Sequence, residues 1–553
     1  MSKARISIAA LAMSLVCVFF LTAVGFAGDE LRIGVSGEFQ PGHPLLPNSE
    51  MTGLAYSFSL LPLVSLEKGW TWQCRLCTKL PTQANRGIEL FTDKIGLTKI
   101  ALHLAIPENA RWGDGQPITT KDLSFTWQVM QRVPTNFRTS PALLEIEDLV
   151  VRPKEQHHFT IILRSVSDPY PILNSFFVLS QHLEQPIVDK EKWGAYFSNS
   201  LYVKEATQPG LYNGPFLVQG LSADKLTLIR NSSALFTPKL DKVSVQFFDS
   251  FRLLSQALTS SKLDLVSGLP VWDDVFNLID TLAKTDSALK LVRNDSSYYE
   301  HIDFNLQNPL FQDTSVRKAL AYAINKEFIL STLTKNWTVP AVSPVHPGDR
   351  FFSEKVAFYE YAPKKAQKLL AHSDWNPNPD GLRTKRTRAL AFEVLTIDDP
   401  WRIKIAQYLV QAWKNIGAQV TIKTLPLGEF REKIAKRHFS GAALYAWDLS
   451  PLKNKRSLFH SSAIPSLSNQ YSGQNVTGWI NAKVDDTLAK LHISFNDTER
   501  QNLMATLQRE YTGELPGIPL FFREEISLIP KPLRVFTAPL LNAQLGLAAA
   551  YWE

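Results

Sequence analysis

The sequence predicts an α/β protein of more than one domain, and three observations carry the prediction. Its 553 residues exceed what a single hydrophobic core ordinarily fills. The first half holds apolar residues at period two, the mark of half-buried strands. The second half repeats helical spacing, a glycine and another period-two run, the rhythm of helices laid on a largely parallel sheet.

At the N-terminus, Lys3 and Arg5 precede an almost wholly apolar run from Ile6 to Phe26. Gly25-Phe26-Ala27 then offers small residues where a signal peptidase reads, so residues 1–27 are predicted to be a secretory signal peptide cleaved after Ala27. The alternative is an uncleaved anchor, because the run is long enough to span a bilayer. Cys17 follows Val16, which is bulkier than lipidation signals favour. No later segment is apolar enough to cross a membrane, and a periplasmic location is expected. Processing removes Lys3 and Arg5 and no acid, so the net charge of +7 falls to +5. The remaining basic residues are scattered, with short clusters such as Arg383–Arg388 read as solvated loop, so nucleic acid is not the expected partner.

Glu30–Ser36 reads as the first strand of the mature chain. Ile100, Leu102, Leu104 and Ile106 alternate strictly up to Pro107. His158–Leu163, Lys225–Arg230 and Lys242–Phe248 are further strands, and His157-His158, the only close histidine pair, falls at the edge of one of them. Ser315–Lys335 places Val316, Ala319, Leu320, Ala323, Ile324 and Phe328 at helical spacing behind Asp313 and Thr314 as caps. Pro363 opens a helix through Leu370. Asp399-Pro400 opens another, with Ile405, Leu409, Ala412 and Ile416 on one face and Gly417 just beyond its end. Gln419–Leu425 follows as a strand.

Cys74 and Cys77 are the only cysteines of the mature chain. In an oxidising compartment they suit a local disulfide that pins a turn. The alternative is redox or metal chemistry, against which stand the lack of a second pair for zinc and of a thioredoxin-like context. Thr78 also occupies the place of the histidine that haem attachment requires. Enzyme signatures are otherwise missing. Ser65-Leu-Glu-Lys68 fits a serine–lysine spacing without its companion motifs, and no phosphate loop or zinc motif occurs. The chain is not expected to be an enzyme or to carry a cofactor.

Ala110–Trp127 (ARWGDGQPITTKDLSFTW) reads as a strand end, a Gly113-Asp114-Gly115 turn and a helix capped by Thr119 or Thr120. The string is similar to the W-x-D-G-x-P-x-T-x-x-D motif of the extracellular solute-binding proteins of family 5, the oligopeptide- and dipeptide-binding proteins of peptide ABC transporters. Tyr212-Asn-Gly-Pro-Phe216 with Leu226–Asn231 resembles that family's G-P-[FY] strand pair, and Ala257–Val266 resembles its helix leading to a buried acid, Asp264. Phe304-Asn305, Phe311, Asp313, Val316-Arg317 and Ala319–Asn325 match a further run, with Leu310 where a proline is usual. Ala362–Leu370 matches its A-P-x-K-A-x-x-L-L element.

The resemblance implies a type II periplasmic-binding-protein fold, with two α/β lobes, a hinge, and an extra domain inserted in the first lobe. On that pattern residues 28–60, 190–296 and 527–553 form lobe I, 61–189 the inserted domain and 297–526 lobe II. It implies a monomer that encloses a peptide between its lobes and delivers it to a permease and ATPase pair. Relatives also take nickel complexes, haem or sugars, the alternative ligand classes. A thiol–disulfide oxidoreductase using Cys74 and Cys77 is the remaining alternative. Arg317 would be a lobe-internal ion-pair residue.

Gly441–Pro451 (GAALYAWDLSP) reads as a buried strand ending in an acid and a turn. It resembles the family segment that fixes a peptide's N-terminus, which implies Asp448 as amine anchor and Tyr445 as the aromatic position, with Ala446 and Trp447 between them. The other reading makes Asp448 a turn cap before Pro451 and Trp447 core packing. His43–Asn48 occupies an early ligand-proximal loop in the family, and Phe137 lies near an aromatic position. Arg456 and His460 are available cations for a carboxylate, with plain surface residues the other reading.

Overall fold

The computed structural model describes residues 30–534 and 550–552, apart from 38, 41, 47–49, 68–70, 134–140, 153, 271–272, 285–287 and 451–454. The expected signal peptide, Phe137, Lys68, Pro451 and the end of the His43–Asn48 loop lie outside the described residues.

The frame is an 11-stranded mixed sheet. Its strands are β1 (Glu30–Ser36), β2 (Phe216–Leu221), β3 (Lys225–Arg230), β4 (Lys242–Phe248), β5 (Leu265–Pro270), β6 (Leu289–Phe304), β7 (Thr338–Pro340), β8 (Ala391–Ile397), β9 (Gln419–Leu425), β10 (Ala442–Asp448) and β11 (Gly517–Pro530). They run β9-β8-β10-β6-β11-β5-β1-β4-β3-β2, with β7 paired to β11. The parallel pairings expected from the helix–glycine–strand rhythm are present at β8–β9, β8–β10, β1–β4 and β1–β5. The remaining pairs are antiparallel, because hairpins and two long return strands complete the sheet.

Those return strands, β6 and β11, join the two halves. The first part of β6 pairs with the last part of β11, and the reverse. Between Asp295↔Glu524 and Tyr299↔Phe522 the register slips, leaving Ser296, Ser297 and Tyr298 opposite Arg523 alone. Such a bulge bends the strand and turns out the side chains it carries. On one side, β1–β5 share a continuous apolar core with the segment holding the separate four-stranded sheet of residues 88–163. On the other, helices Thr314–Tyr322, Pro363–His372 and Pro400–Lys414 cover β8, β10 and the end of β6.

The 110–127 motif is a scaffold. Thr119 caps the helix Thr120–Met130, and Asp122 closes a capping box by accepting from the Thr119 N–H at 2.8 Å. Asp122 also accepts from the Trp112 indole at 3.3 Å and the Gln181 N–H at 3.0 Å. Only Gly115 of the Gly-Asp-Gly turn takes positive φ, at 87°. Gly113 serves close approach instead, since a Cβ there would lie 2.5 Å from the Pro209 carbonyl oxygen.

Several expectations are corrected. The helix read over Ser315–Lys335 stops at Tyr322 and restarts at Lys326, because the Asn325 side chain caps a new turn by accepting from the Phe328 N–H. Arg317 bonds carbonyl oxygens of Phe311, Glu514 and Leu515 rather than an acid, tying its helix to the end of helix Asp497–Glu514. Arg383–Arg388 is a hairpin rather than a loop, with Arg383 buried and donating to the Trp375 and Ile416 carbonyls. Asp264 is buried as expected, held by the Arg32 guanidinium at 2.7 and 2.9 Å.

Candidate functional site

The site begins at the end of β10. The strand is possible because residue 441 is glycine: a Cβ there would sit 2.0 Å from the Glu393 carbonyl oxygen. From Ala442 to Tyr445 the strand is buried, and its last three residues are half-buried. Asp448 stands opposite Tyr298, at the bulge between the long strands. Its carboxylate accepts from the Ser297 hydroxyl at 2.6 Å and from the Ser450 N–H at 3.0 Å. Both bonds orient the charge, and the Ser450 bond also gives Asp448 the turn-capping role of the alternative reading.

Further ionisable groups gather round this point. Lys455 is half-buried and donates to the Leu449 carbonyl at 2.8 Å. Burial lowers its pKa, while the fields of Asp349 and Asp448 oppose the fall. His346 lies with Nε2 3.9 Å from Asp295 and Nδ1 accepting from the Gly348 N–H at 2.9 Å. Its pKa is also lowered by burial, against Asp295 and Asp349, so it is neutral at pH 7. Asp349 and Asp448 thus act on Lys455, and Asp295 acts on His346.

Alternation divides the segment that resembles the family's N-terminal contact. Tyr299 opposes Trp447 and Tyr298 opposes Asp448, so Tyr445 and Trp447 lie on one sheet face while Ala446 and Asp448 lie on the other. Tyr445 is in the core: its hydroxyl donates to Asp303 at 2.6 Å, and its ring packs 4.7 Å from His301. Under Trp447 a cavity of about 20 Å³, lined by Tyr299, His301, Asp303 and Tyr511, has room for one water and for no peptide. Ser297, Tyr298, Asp295 and Asp349, which join Asp448 in space, carry no sequence signal. They are short polar or aromatic residues in unremarkable settings, gathered only by the strand crossing.

Other candidates are placed elsewhere. His43 is buried, 3.2 Å from the Tyr196 hydroxyl, with its pKa lowered to about 3 by burial. His460 caps a short turn by accepting from the Ser462 N–H and lies 3.7 Å from Asp485. Arg456 belongs to the helix Lys455–Phe459. Cys74 and Cys77 form a close pair, with Cα atoms 5.3 Å apart, on a hairpin far along the chain from Asp448. Two serine–histidine–aspartate clusters occur among the described residues: Ser462 lies 2.8 Å from the same His460 nitrogen that is 3.7 Å from Asp485, which leaves no relay through the ring, and Ser180 lies 3.1 Å from His182, itself 2.7 Å from Asp114. Ser180 is fully buried, which gives a substrate no path to its hydroxyl. Among the described residues no group of three or more His, Cys, Asp or Glu is arranged to hold a metal ion, and no helix is long and apolar enough to cross a membrane.

Comparison with known proteins gives a consistent picture. The sequence model described as bacterial extracellular solute-binding proteins, family 5 Middle, matches residues 102–462. A Brucella abortus protein named for peptide binding in an ABC transporter is 26% identical over 279 residues. That match spans about half of either protein, 48% of each. The oligopeptide-binding protein OppA of Bacillus subtilis is 20% identical over 542 residues, covering 92% of this chain and 93% of the relative. Among solved structures, the oligopeptide-binding protein of Thermus thermophilus complexed with a pentapeptide superposes with a TM-score of 0.64 at 22% identity. The superposition covers 95% of this chain and 96% of that one. NikZ of Campylobacter jejuni in complex with Ni(L-His) superposes with a TM-score of 0.66 at 22% identity, covering 93% and 96%. The type II periplasmic-binding architecture is therefore the observed fold.

Proposed function

The chain belongs to the bacterial extracellular solute-binding proteins of family 5, and from that premise we propose that it is exported to capture a peptide between two lobes and pass it to an ABC-transporter permease. The partner ATPase would supply the energy, and the binding protein would act as a monomer. The observation that carries the peptide reading is Asp448: a half-buried carboxylate at a strand end, held by Ser297 at the point where the long strands bend. A peptide amine brought there replaces water with a charge-assisted hydrogen bond. Identification by native mass spectrometry of the ligand carried by freshly purified protein tests the reading. Recovery of peptides supports it, and recovery of only a metal chelate, haem or sugar overturns it.

We place the hinge at the bulge in β6 opposite Arg523, with β1–β5 in lobe I and β8–β10 in lobe II. On this reading residues 61–189 are the inserted domain, and a salt bridge ties it to lobe II. Arg500, on the helix Asp497–Glu514, lies 3.1 Å from Asp168. Asp168→Ala is expected to weaken all peptide ligands alike, and by less than about fivefold, because a partly exposed pair contributes at most about 1 kcal/mol. Calorimetry on peptides of several sequences checks this. Loss of only some ligands would mean that Asp168 touches ligand rather than the opposite lobe.

The pair Cys74–Cys77 is read as a structural disulfide. Closing so short a loop is worth only about 2 kcal/mol in the chain-entropy picture. The double Cys→Ser variant is expected to keep its peptide affinity and lose a little melting temperature. Loss of affinity with unchanged stability would instead favour a functional thiol pair.

A further inference from the structure

The end of strands β8–β10 opposite Asp448 holds a cavity of about 390 Å³, within the range of small-ligand sites. Ser440, on its wall, precedes β10, and Asp448 closes that strand, so the two places lie roughly 25 Å apart along it. The sheet and one helix shape the cavity. Glu393 pairs with Thr421 and Leu395 with Lys423 across parallel β8 and β9, so Glu393, Leu395, Lys423 and Leu425 share one face. The helix Leu427–Ala435 lays Phe430 and Ile434 against Leu395 and Leu425, which closes the apolar half of that face. The other half, Glu393 and the exposed Lys423, faces the cavity, and Lys433, Arg437 and His438 complete the wall.

The cations there are unevenly matched. Lys433 lies 3.9 Å from Glu429, and Glu432, outside the wall, is taken by Lys436 at 2.7 Å. Among the described residues neither Lys423 nor Arg437 forms an ion pair. Arg437 is also held in a defined place. It follows the helix end at φ 56°, in the left-handed region where glycine is usual. Its Nε donates to the Val476 carbonyl at 2.9 Å, and its Nη2 passes over Gly478, where a Cβ would lie 2.2 Å away. A guanidinium fixed in this way is preorganised for an anion.

We propose that this cavity binds a small hydroxylated phosphate monoester, of the sugar-phosphate class, with its phosphate on Lys423 and Arg437 and a hydroxyl on Glu393. The inference goes beyond the peptide reading and is independent of it, because the cavity shares no lining residue with the surroundings of Asp448. Three lining cations against Glu393 suit a dianion, and the three acceptor oxygens of a phosphate let one group bridge a strand lysine and a loop arginine. Glu393 separates this ligand from a bare anion. A carboxylate repels a second negative charge and accepts from a hydroxyl, so the occupant carries a charged end and a donor end. The volume, well above that of a phosphate group alone, accommodates the organic part.

The test is isothermal calorimetry on the purified protein at constant ionic strength, with glucose 6-phosphate, glycerol 3-phosphate, glucose and sulfate. Both esters should bind, glucose should not, and sulfate, a dianion without a hydroxyl, should bind at least tenfold more weakly than glucose 6-phosphate. Lys423→Met alters an exposed side chain and should leave the melting temperature unchanged. It should weaken the esters at least tenfold, the low end for a hydrogen bond to a charged group. Glu393→Gln should move the two anions in opposite directions, tightening sulfate by relieving repulsion and weakening glucose 6-phosphate. The wild-type comparison needs no variant at all. Failure of both esters to bind overturns the proposal, as does glucose or sulfate binding as tightly as glucose 6-phosphate. Ester affinity unchanged in Lys423→Met overturns the placement in this cavity, and a Glu393→Gln change of the same sign for both anions overturns the role of Glu393.

Discussion

Asp448→Ala is expected to weaken free-amine peptides by about 30-fold to more than 1000-fold. That range corresponds to the 2–5 kcal/mol typical of truncating one partner of a desolvated, hydrogen-bonded charge pair. The magnitude follows from the setting. Asp448 is half-buried and oriented by Ser297 and Ser450, so little reorganisation is needed when an ammonium group arrives. Closure around ligand then removes the water that would otherwise screen the pair. The matching measurement uses wild-type protein and the same peptides with acetylated N-termini, which lose the charge without altering the site. Equal affinity for acetylated and free peptides would sink the anchor and leave Asp448 as the cap of its turn. A second control is Ser297→Ala, which removes the orienting hydroxyl and should cost less than the loss of the charge itself.

Replacing Glu300 with Gln is expected to destabilise the fold by about 3–5 kcal/mol, the range for breaking a buried ion pair, because the guanidiniums of Arg402 and Arg523 would then share a pocket without a counter-charge. Burial alone would raise the Glu300 pKa, but the two arginines outweigh it and hold the carboxyl at about 2, against an ordinary 4.5. A depressed folded-state value stabilises the protein above the unfolded pKa and loses that contribution as protons bind. The wild-type advantage over Glu300→Gln should therefore be full at neutral pH and shrink as pH falls from about 5 towards 2. The difference between the two values corresponds to about 3 kcal/mol. Denaturant unfolding of both proteins across that interval provides the measurement, and a stability difference independent of pH would contradict the assignment.

Local chemistry wrote much of the fold plainly into the chain. The strands Glu30–Ser36, His158–Leu163, Lys225–Arg230, Lys242–Phe248 and Gln419–Leu425 stand where alternation placed them, because a strand's period is set by its own residues. The caps Thr119 and Asp399 and the left-handed Gly417 were equally legible, being properties of a few adjacent groups. The break at Asn325 was not. Asn reads as tolerable in a helix, and its side chain acts as a cap only where the chain has reason to turn.

Of the candidate site, the sequence by itself determined one end: a buried strand closing on an acid at Asp448. Tertiary structure decided the rest. Whether Tyr445 faces ligand or core depends on which sheet face Asp448 takes, and pairing with β6 sends the two to opposite sides. The company of Asp448 comes from residues 295–298, 346–349 and 523, far apart in the chain and unremarkable in type. They meet because β6 and β11 slip register where they cross, and a bulge turns three consecutive side chains out of the ladder. Periodicity is carried by neighbours along the chain, so it survives in a linear text. The gathering of charges at a strand crossing draws on distant segments, and it exists only once the chain has folded.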